Sequence, residues 1–266
     1  MIKVGISGAL GKMGQEIIRA VRADADLEFV IGIDSTSAKI NDRSFDFDLV
    51  SALTLIDPKD IDVLVDFTTA SAIKSTMDFC SNNSINLVMG TSGVTADDLK
   101  IAERLFSNED SPNAVIASNF AIGAVLMMNF AKFAAPYFEN AEIIEYHHNQ
   151  KIDAPSGTAV TTAERMDIAR KKLKLDSFPT DSTQKHVLKG SRGGLGAANI
   201  PIHSVRVQGV VANQDVILGA QGQTLIIKHE TIDRSAFMPG VILAIKKVMQ
   251  TNGLTFGLEK FLGIDY

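Results

Sequence analysis

The chain has 266 residues, 45% of them hydrophobic and 21% charged, the make-up of a soluble globular protein with room for one large domain or two ordinary ones. A formal net charge of −5, with both signs mixed along the chain, argues against a general nucleic-acid binder, which carries a basic face. The single Cys80 excludes an internal disulfide and fits a reducing compartment.

The N-terminus enters a strand directly, Ile2–Ser7, with no signal peptide, so a cytoplasmic location is expected. Further buried strands rich in Val, Ile and Leu are predicted at Leu27–Ile33, Asp62–Phe67, Ile85–Met89 and Ala114–Ala117. Between them Met13–Arg22, Ala70–Asn82 and Ala96–Phe106 carry apolar residues at helical spacing; Cys80 sits in such a pattern and reads as a small core residue. Alternation of this kind predicts βαβ units and a doubly wound parallel sheet covered on both faces. Ser35 to Asp60 is less regular and reads as a looser connection with an edge strand or short helix.

After Asn119 the character changes. A helix is predicted over Ile122–Tyr137, a strand over Glu142–His147, and a second helix from about Gly157 to Leu173. The most apolar stretch, Ala121–Met128, is too short to span a bilayer, so no membrane partner is expected. Residues 176–200 are polar and glycine-rich. Strands follow at Ile202–Ile217, broken at Gly209, and at Thr224–Ile232. Clustered strands without intervening helices suggest a mixed or antiparallel sheet. An amphipathic helix, Phe237–Gln250, is predicted to close the chain. The domain organisation read from this is residues 1–118, completed by 234–266, around a second α+β domain of residues 119–233.

Two places carry chemistry. The first is Gly8-Ala-Leu-Gly11-Lys-Met-Gly14, which links the first strand to the first helix. Glycines there allow a tight turn and close approach of backbone to a pyrophosphate, whose charge the helix N-terminus stabilises. The spacing is Gly-x-x-Gly-x-x-Gly, so the support comes from the strand, turn and helix context rather than from the glycines alone. Asp34, twenty residues beyond Gly14, ends the second strand and can accept from ribose hydroxyls. It would repel a 2′-phosphate and points to NADH; Lys12 offers an alternative partner for that phosphate, which keeps NADPH open. Read without a ligand, Asp34 is a solvated strand end.

The second place is Glu145-Tyr-His-His-Asn-Gln-Lys-Ile-Asp-Ala-Pro-Ser-Gly-Thr158, immediately before a helix. Histidine can hold or release a proton near neutral pH. Lys151 adds a fixed positive charge. Ser156, Gly157 and Thr158 open a helix, where backbone N–H groups and the dipole make an anion site. A proton donor beside two anion-holding devices suits reduction of a small carboxylate-bearing substrate. Successive strand residues face opposite sides, so His147 and His148 share a pocket only if the strand has ended there. No metal-ligand spacing is present among His186, His203 and His229, and no metal is expected.

This string, with the Gly8–Gly14 turn, Asp66-Phe67-Thr68, the Gly90-Thr91 loop and Asp233-Arg234-Ser-Ala-Phe237, resembles the dihydrodipicolinate reductase family over nearly the whole chain. The resemblance implies a Rossmann domain plus a substrate domain whose mixed sheet builds a homotetramer. It implies reduction of a cyclic unsaturated imine dicarboxylate by NADH or NADPH in the diaminopimelate and lysine pathway. Residue by residue it implies His147 as general acid, with Lys151 holding substrate charge. His148, Ser156, Gly157, Thr158 and Arg234 would hold substrate. For the cofactor it implies Gly8, Gly11, Lys12, Met13, Gly14, Asp34, Phe67, Thr68, Gly90, Thr91, Ser92, Ser118, Asn119 and Phe120. Arg234 also reads as a solvated charge before the last helix, and the loops taken singly as turn chemistry. Ala121 and Asn213 depart from the family pattern, which has serine and histidine there. The rival readings are another two-domain nicotinamide reductase, which would lack the His-His-x-x-Lys string, and a dinucleotide-binding protein that has lost catalysis, which would be expected to lack His147 or Lys151.

Overall fold

A computed structural model describes residues 1–36, 45–108 and 110–264. In chain order the main elements are β1 (Ile2–Ser7), α1 (Lys12–Ala23), β2 (Leu27–Ile33), β3 (Asp48–Val50), β4 (Val63–Asp66), α2 (Ile73–Asn82), β5 (Asn86–Met89), α3 (Ala96–Phe106) and β6 (Ala114–Ile116). Then come α4 (Ile122–Ala134), β7 (Asn140–His147), α5 (Gly157–Lys172), β8 (Gly194–Leu195), β9 (Pro201–Arg206), β10 (Ala212–Ala220), β11 (Gln223–Thr231), α6 (Met238–Val248) and β12 (Leu254–Phe256). They form two compact units: Met1–Ala121 with Phe237–Tyr266, and Ile122–Ala236. Part of the irregular Ser35–Asp60 stretch, residues 37–44, lies outside the described residues.

Unit 1 is a Rossmann-type layer. Among the described residues seven strands run parallel in the order β12-β6-β5-β4-β1-β2-β3. The central strands are buried on both faces, as in β4 (Val63, Leu64, Val65, Asp66), which is why they read as continuous apolar runs rather than alternation. Each helix turns one stripe inward. In α1 that stripe is Gly14, Ile17, Ile18 and Val21. At the start of α3, Thr95 and Asp98 make a reciprocal capping box, Asp98 N–H donating to Thr95 Oγ1 at 3.2 Å and Thr95 N–H to the Asp98 carboxylate at 2.8 Å. Cys80 is fully buried.

The expectation that a helix closes the chain is corrected. After α6 the chain adds β12 at the edge of the sheet, paired with Ala114–Ile116. Asn113 Oδ1 accepts from Gly253 N–H at 2.8 Å, and Asn86 Oδ1 from Asn113 N–H at 2.9 Å. A three-residue strand has no recognisable period; the open sheet edge and these two amides create it.

Unit 2 is a five-stranded mixed sheet, order β11-β10-β7-β9-β8, in which only β7 and β9 run parallel. Ala141, Ile143 and Glu145 of β7 and Gln214, Val216 and Leu218 of β10 point to the buried face, where α4 and α5 pack. Their neighbours Glu142, Ile144 and Tyr146 alternate to the other face. Arg170, buried near the end of α5, donates to the carbonyls of Ala135, Phe138 and Asp176 at 2.8–3.0 Å and stacks 4.0 Å from the Phe178 ring. One guanidinium thus supplies donors to three backbone carbonyls, including that of buried Ala135.

Among the described glycines of unit 1 the closest approach lies where α6 returns: a Cβ on Gly240 would stand 2.0 Å from the Phe120 carbonyl oxygen. Gly240→Ala should therefore lower stability by about 1–3 kcal/mol, the range for overpacking. Urea denaturation of the full chain checks this, and an unchanged midpoint would contradict the packing.

Candidate active site

In unit 2 the site grows from the end of β7. Because strand alternation turns residue 145 inward, a carboxylate falls on the core face, and the Glu145 side chain has 0% exposure. Such a group needs donors in place of water. Arg206, the last residue of β9, supplies a fork: Nη1 to Oε2 and Nη2 to Oε1, both at 2.8 Å. His147 Nδ1 lies 2.6 Å from Oε2, and Ser156 N–H donates to Oε1 at 3.2 Å. The second arm of the fork also donates to the Asp153 carbonyl at 2.7 Å. One carboxylate therefore ties together the ends of β7 and β9 and the start of α5.

Burial pushes Glu145 toward protonation, but the Arg206 fork, the Ser204 hydroxyl and the His147 contact outweigh it and hold the carboxyl below its ordinary 4.5. For His147 burial dominates and lowers its proton affinity below the usual 6.5; Glu145 opposes this, while Lys151 and Arg206 push the same way as burial. β7 ends at His147, and the chain then turns, with Lys151 N–H donating to the His148 carbonyl at 3.1 Å. His148 is thus outside the strand. Lys151 Nζ bonds both Asp153 carboxylate oxygens, at 2.7 and 2.8 Å.

The helix-start residues divide. Ser156 is buried, its Oγ accepts from Ala159 N–H at 3.3 Å, and its own N–H is given to Glu145. It is the N-cap of α5 and its amide is already used. Gly157 faces open space, with nothing within 4 Å of a Cβ placed on it. Arg234 opens a short 3-10 turn, Arg234–Phe237, and no hydrogen bond or ion pair among the described residues joins it to the Glu145 cluster. Asn213 Oδ1 accepts from Thr231 N–H at 2.9 Å and pins β10 to β11.

In unit 1 a cleft of about 540 Å³ opens at the carboxyl ends of the strands, lined by Gly8, Gly11, Asp34, Phe67, Thr68 and neighbours. The glycines are steric necessities. Gly8 has φ +83°, and a Cβ on it would lie 2.6 Å from the Phe67 carbonyl; one on Gly14 would lie 2.1 Å from the Gly8 carbonyl. The turn is a cradle that side chains would fill. Lys12, Met13 and Gly14 form the first turn of α1, whose N-cap Gly11 offers no side-chain cap. Their N–H groups have no partner within the helix and suit an anion. Asp34 accepts from Leu10 N–H at 3.0 Å and from Thr36 N–H and Oγ1 at 3.0 and 2.7 Å, which fastens the glycine turn to the end of β2. These residues fit a dinucleotide.

The remaining loops meet around Gly90. The Phe67 and Phe120 rings stand 5.3 Å apart, and a Cβ on Gly90 would reach 2.2 Å from one and 2.9 Å from the other. Thr91 Oγ1 accepts from Thr68 N–H at 2.8 Å and donates to the buried Asp66 carboxylate at 3.0 Å. Burial raises the proton affinity of Asp66 against the effect of the Thr91 hydroxyl. Ser92 continues the Gly90 loop, and Ser118 and Asn119 follow β6, with Asn119 Oδ1 accepting from Ala121 N–H at 2.9 Å. Buried Ala121 makes its bond through the backbone.

Three residues of the clusters had no role in the sequence reading: Glu145, Asp153 and Arg206. Glu145 carried a readable signal, a charge at a core-facing strand position. Arg206 lies 61 residues from it with no local motif.

Because Glu145 is held below 4.5, its contribution to stability is complete above that value and is lost as pH falls toward its lower native value. Unit 2 should therefore weaken in acid, and Glu145→Gln should flatten that acid limb. Denaturation midpoints measured above and below pH 4.5 check the sign.

Residues 2–120 match the family model described as dihydrodipicolinate reductase, N-terminus, and residues 123–262 the model for its C-terminus. A 4-hydroxy-tetrahydrodipicolinate reductase of Corynebacterium urealyticum is 42% identical over 265 residues, covering 100% of both chains. That of Corynebacterium efficiens is 43% identical over 99% of each. The solved structure of a dipicolinate-bound dihydrodipicolinate reductase from Paenisporosarcina sp. TG-14 superposes with a TM-score of 0.83 at 36% identity, covering 98% of this chain and 99% of that one. On both halves of its length, this chain belongs to the dihydrodipicolinate reductase family.

Proposed function

We propose that this chain uses NADH or NADPH to reduce the cyclic unsaturated imine dicarboxylate derived from 4-hydroxy-tetrahydrodipicolinate to tetrahydrodipicolinate, in the diaminopimelate route to lysine. The observation that carries this reading is the pairing of His147 and Arg206 with the buried Glu145 carboxylate, with Lys151 and the N-terminus of α5 beside it in the chain. It supports a proton donor held in one orientation among groups that favour carboxylates.

The nucleotide supplies hydride when bound. Gly8, Gly11, Lys12, Met13 and Gly14 would cradle its pyrophosphate, and Asp34 its adenosine ribose. Phe67, Thr68, Gly90, Thr91, Ser92, Ser118, Asn119 and Phe120 would line the nicotinamide and its ribose. Asp34 favours NADH, since a 2′-phosphate would meet its carboxylate.

As charge develops on the ring, His147 gives up a proton and Lys151 neutralises a carboxylate, exchanging Asp153 for substrate. His148, Gly157, Thr158 and Arg234 would hold the remaining substrate oxygens, with Ser156 shaping the helix start. A bound dianion also raises the proton affinity of His147, offsetting the burial that lowers it.

Two further parts of the reading are assembly and location. The sheet face bearing Ile144, Ile217 and Ile226, the last 58% exposed, is an apolar strip between charged neighbours and supports a homotetramer built on unit 2. No helix among the described residues is long and apolar enough to cross a membrane, and a biosynthetic role favours the cytoplasm.

The direct test follows NADH and NADPH absorbance while a coupling synthase makes the unstable substrate from pyruvate and aspartate semialdehyde. Synthase-dependent oxidation is the expected result; a protein that binds NADH but oxidises none would sink the reading. Lys151→Ala should cut turnover by roughly 100-fold or more with nucleotide affinity nearly unchanged. Asp34→Ala should bring the NADH and NADPH rates closer together, and an unchanged ratio would remove Asp34 from the ribose.

A further inference from the structure

The chemistry above needs one ring nitrogen of His147 to carry the proton to substrate, and it leaves open which. Glu145 answers this. Its carboxylate, with no exposed surface, is ionised, because the fork of Arg206 and the amide of Ser156 both donate to it. An ionised carboxylate only accepts. A 2.6 Å contact from Oε2 to His147 Nδ1 therefore requires the hydrogen on Nδ1. We propose that Glu145, braced by Arg206, is a positioning residue of the reductase: it fixes His147 with a permanent Nδ1–H and leaves Nε2 as the nitrogen that exchanges a proton with substrate.

The inference rests on the reductase reading only in naming substrate as the acceptor; the tautomer stands on geometry. The groups that face His147 come from three segments. Glu145 of β7 draws a proton toward the ring. Lys151 of the loop and Arg206 of β9 repel one, and both cations are themselves engaged by Asp153, through its carboxylate and its carbonyl respectively. Arg206 thus has two opposed effects. It keeps Glu145 charged, and it stops that charge from holding the imidazolium so firmly that the proton is not released. The register of β7 and β9 serves this arrangement directly, since His147 and Arg206 are cross-strand partners.

Histidine NMR of the full-length protein across a pH titration tests the inference without any substrate, with His147 identified by its loss in His147→Gln. The native ring should titrate from an Nδ1–H neutral form; an Nε2–H neutral form overturns the inference at once. Glu145→Gln should lower the His147 pKa by about 1–3 units, whereas Arg206→Met should raise it. A purely structural pair would not give opposite signs, and shifts in the same direction, or none, overturn the proposal. If Glu145→Gln fails to fold, Arg206→Met decides alone: an upward shift supports the role and its absence removes it. In turnover, Glu145→Gln should lower kcat roughly 100-fold and move the pH profile with the His147 pKa, leaving the KM for nucleotide unchanged. Loss of reductase activity in the native protein would sink the functional reading while leaving the histidine titrations intact, so the two failures are separable.

Discussion

A carboxylate cut off from water must find its solvation inside the protein, and Glu145 imposes that constraint on unit 2. Desolvating such a charge is unfavourable by several kcal/mol unless cations and N–H groups replace the lost water. The replacements come from three separate segments, and each is thereby fixed in place. Arg206 has to end β9 opposite His147, which sets the parallel register of β7 and β9. Ser156 has to present its amide, which sets where α5 begins. His147 has to turn Nδ1 inward. An apolar core at this point could be as stable, since buried ion pairs often add little net stability. What the ion pair adds is a defined orientation for an imidazole that an apolar neighbour could not orient.

Unit 1 solves the opposite problem. Its cleft depends on what is missing from the backbone rather than on what is placed there. Gly8, Gly14 and Gly90 each stand where a Cβ would come within 3 Å of a carbonyl or an aromatic ring. Removing it lets strand, turn and helix close to distances that leave first-turn N–H groups facing outward. Asp34 then anchors the turn through Leu10, so the residue proposed to meet the adenosine ribose also shapes the turn beneath it. Asp66 plays a similar joining role lower down, through Thr91 to Thr68.

The two units therefore rest on different physics. In unit 1 geometry is set by close packing, and the electrostatics come from oriented peptide dipoles. In unit 2 geometry is set by a charged network, with packing filling the space around it. A helix start serves each, with glycine at the N-cap of α1 and serine at that of α5. The difference follows from the neighbours: the glycine turn leaves the first turn of α1 uncapped, whereas Ser156 is already drawn into the Glu145 network.

Much of this was legible along the chain. Features that depend on near neighbours could be read: the glycine turn between strand and helix, the buried runs of β4 and β5, the helical stripes of α1 and α3, and, as a family pattern, the His-His-x-x-Lys string. These signals are local, because helix and strand periods and turn sterics act over a few residues. The family and its two-part plan were legible for the same reason. The tertiary structure alone decided the rest. It placed β12 on a sheet edge that three residues could not announce, and committed the Ser156 amide to Glu145. It also gave Asp153 both cations and brought Arg206 across 61 residues to a carboxylate. Sequence spacing carries no record of such partners, because a buried charge is matched by whatever donor the folded backbone brings within 3 Å, however far away it lies in the chain.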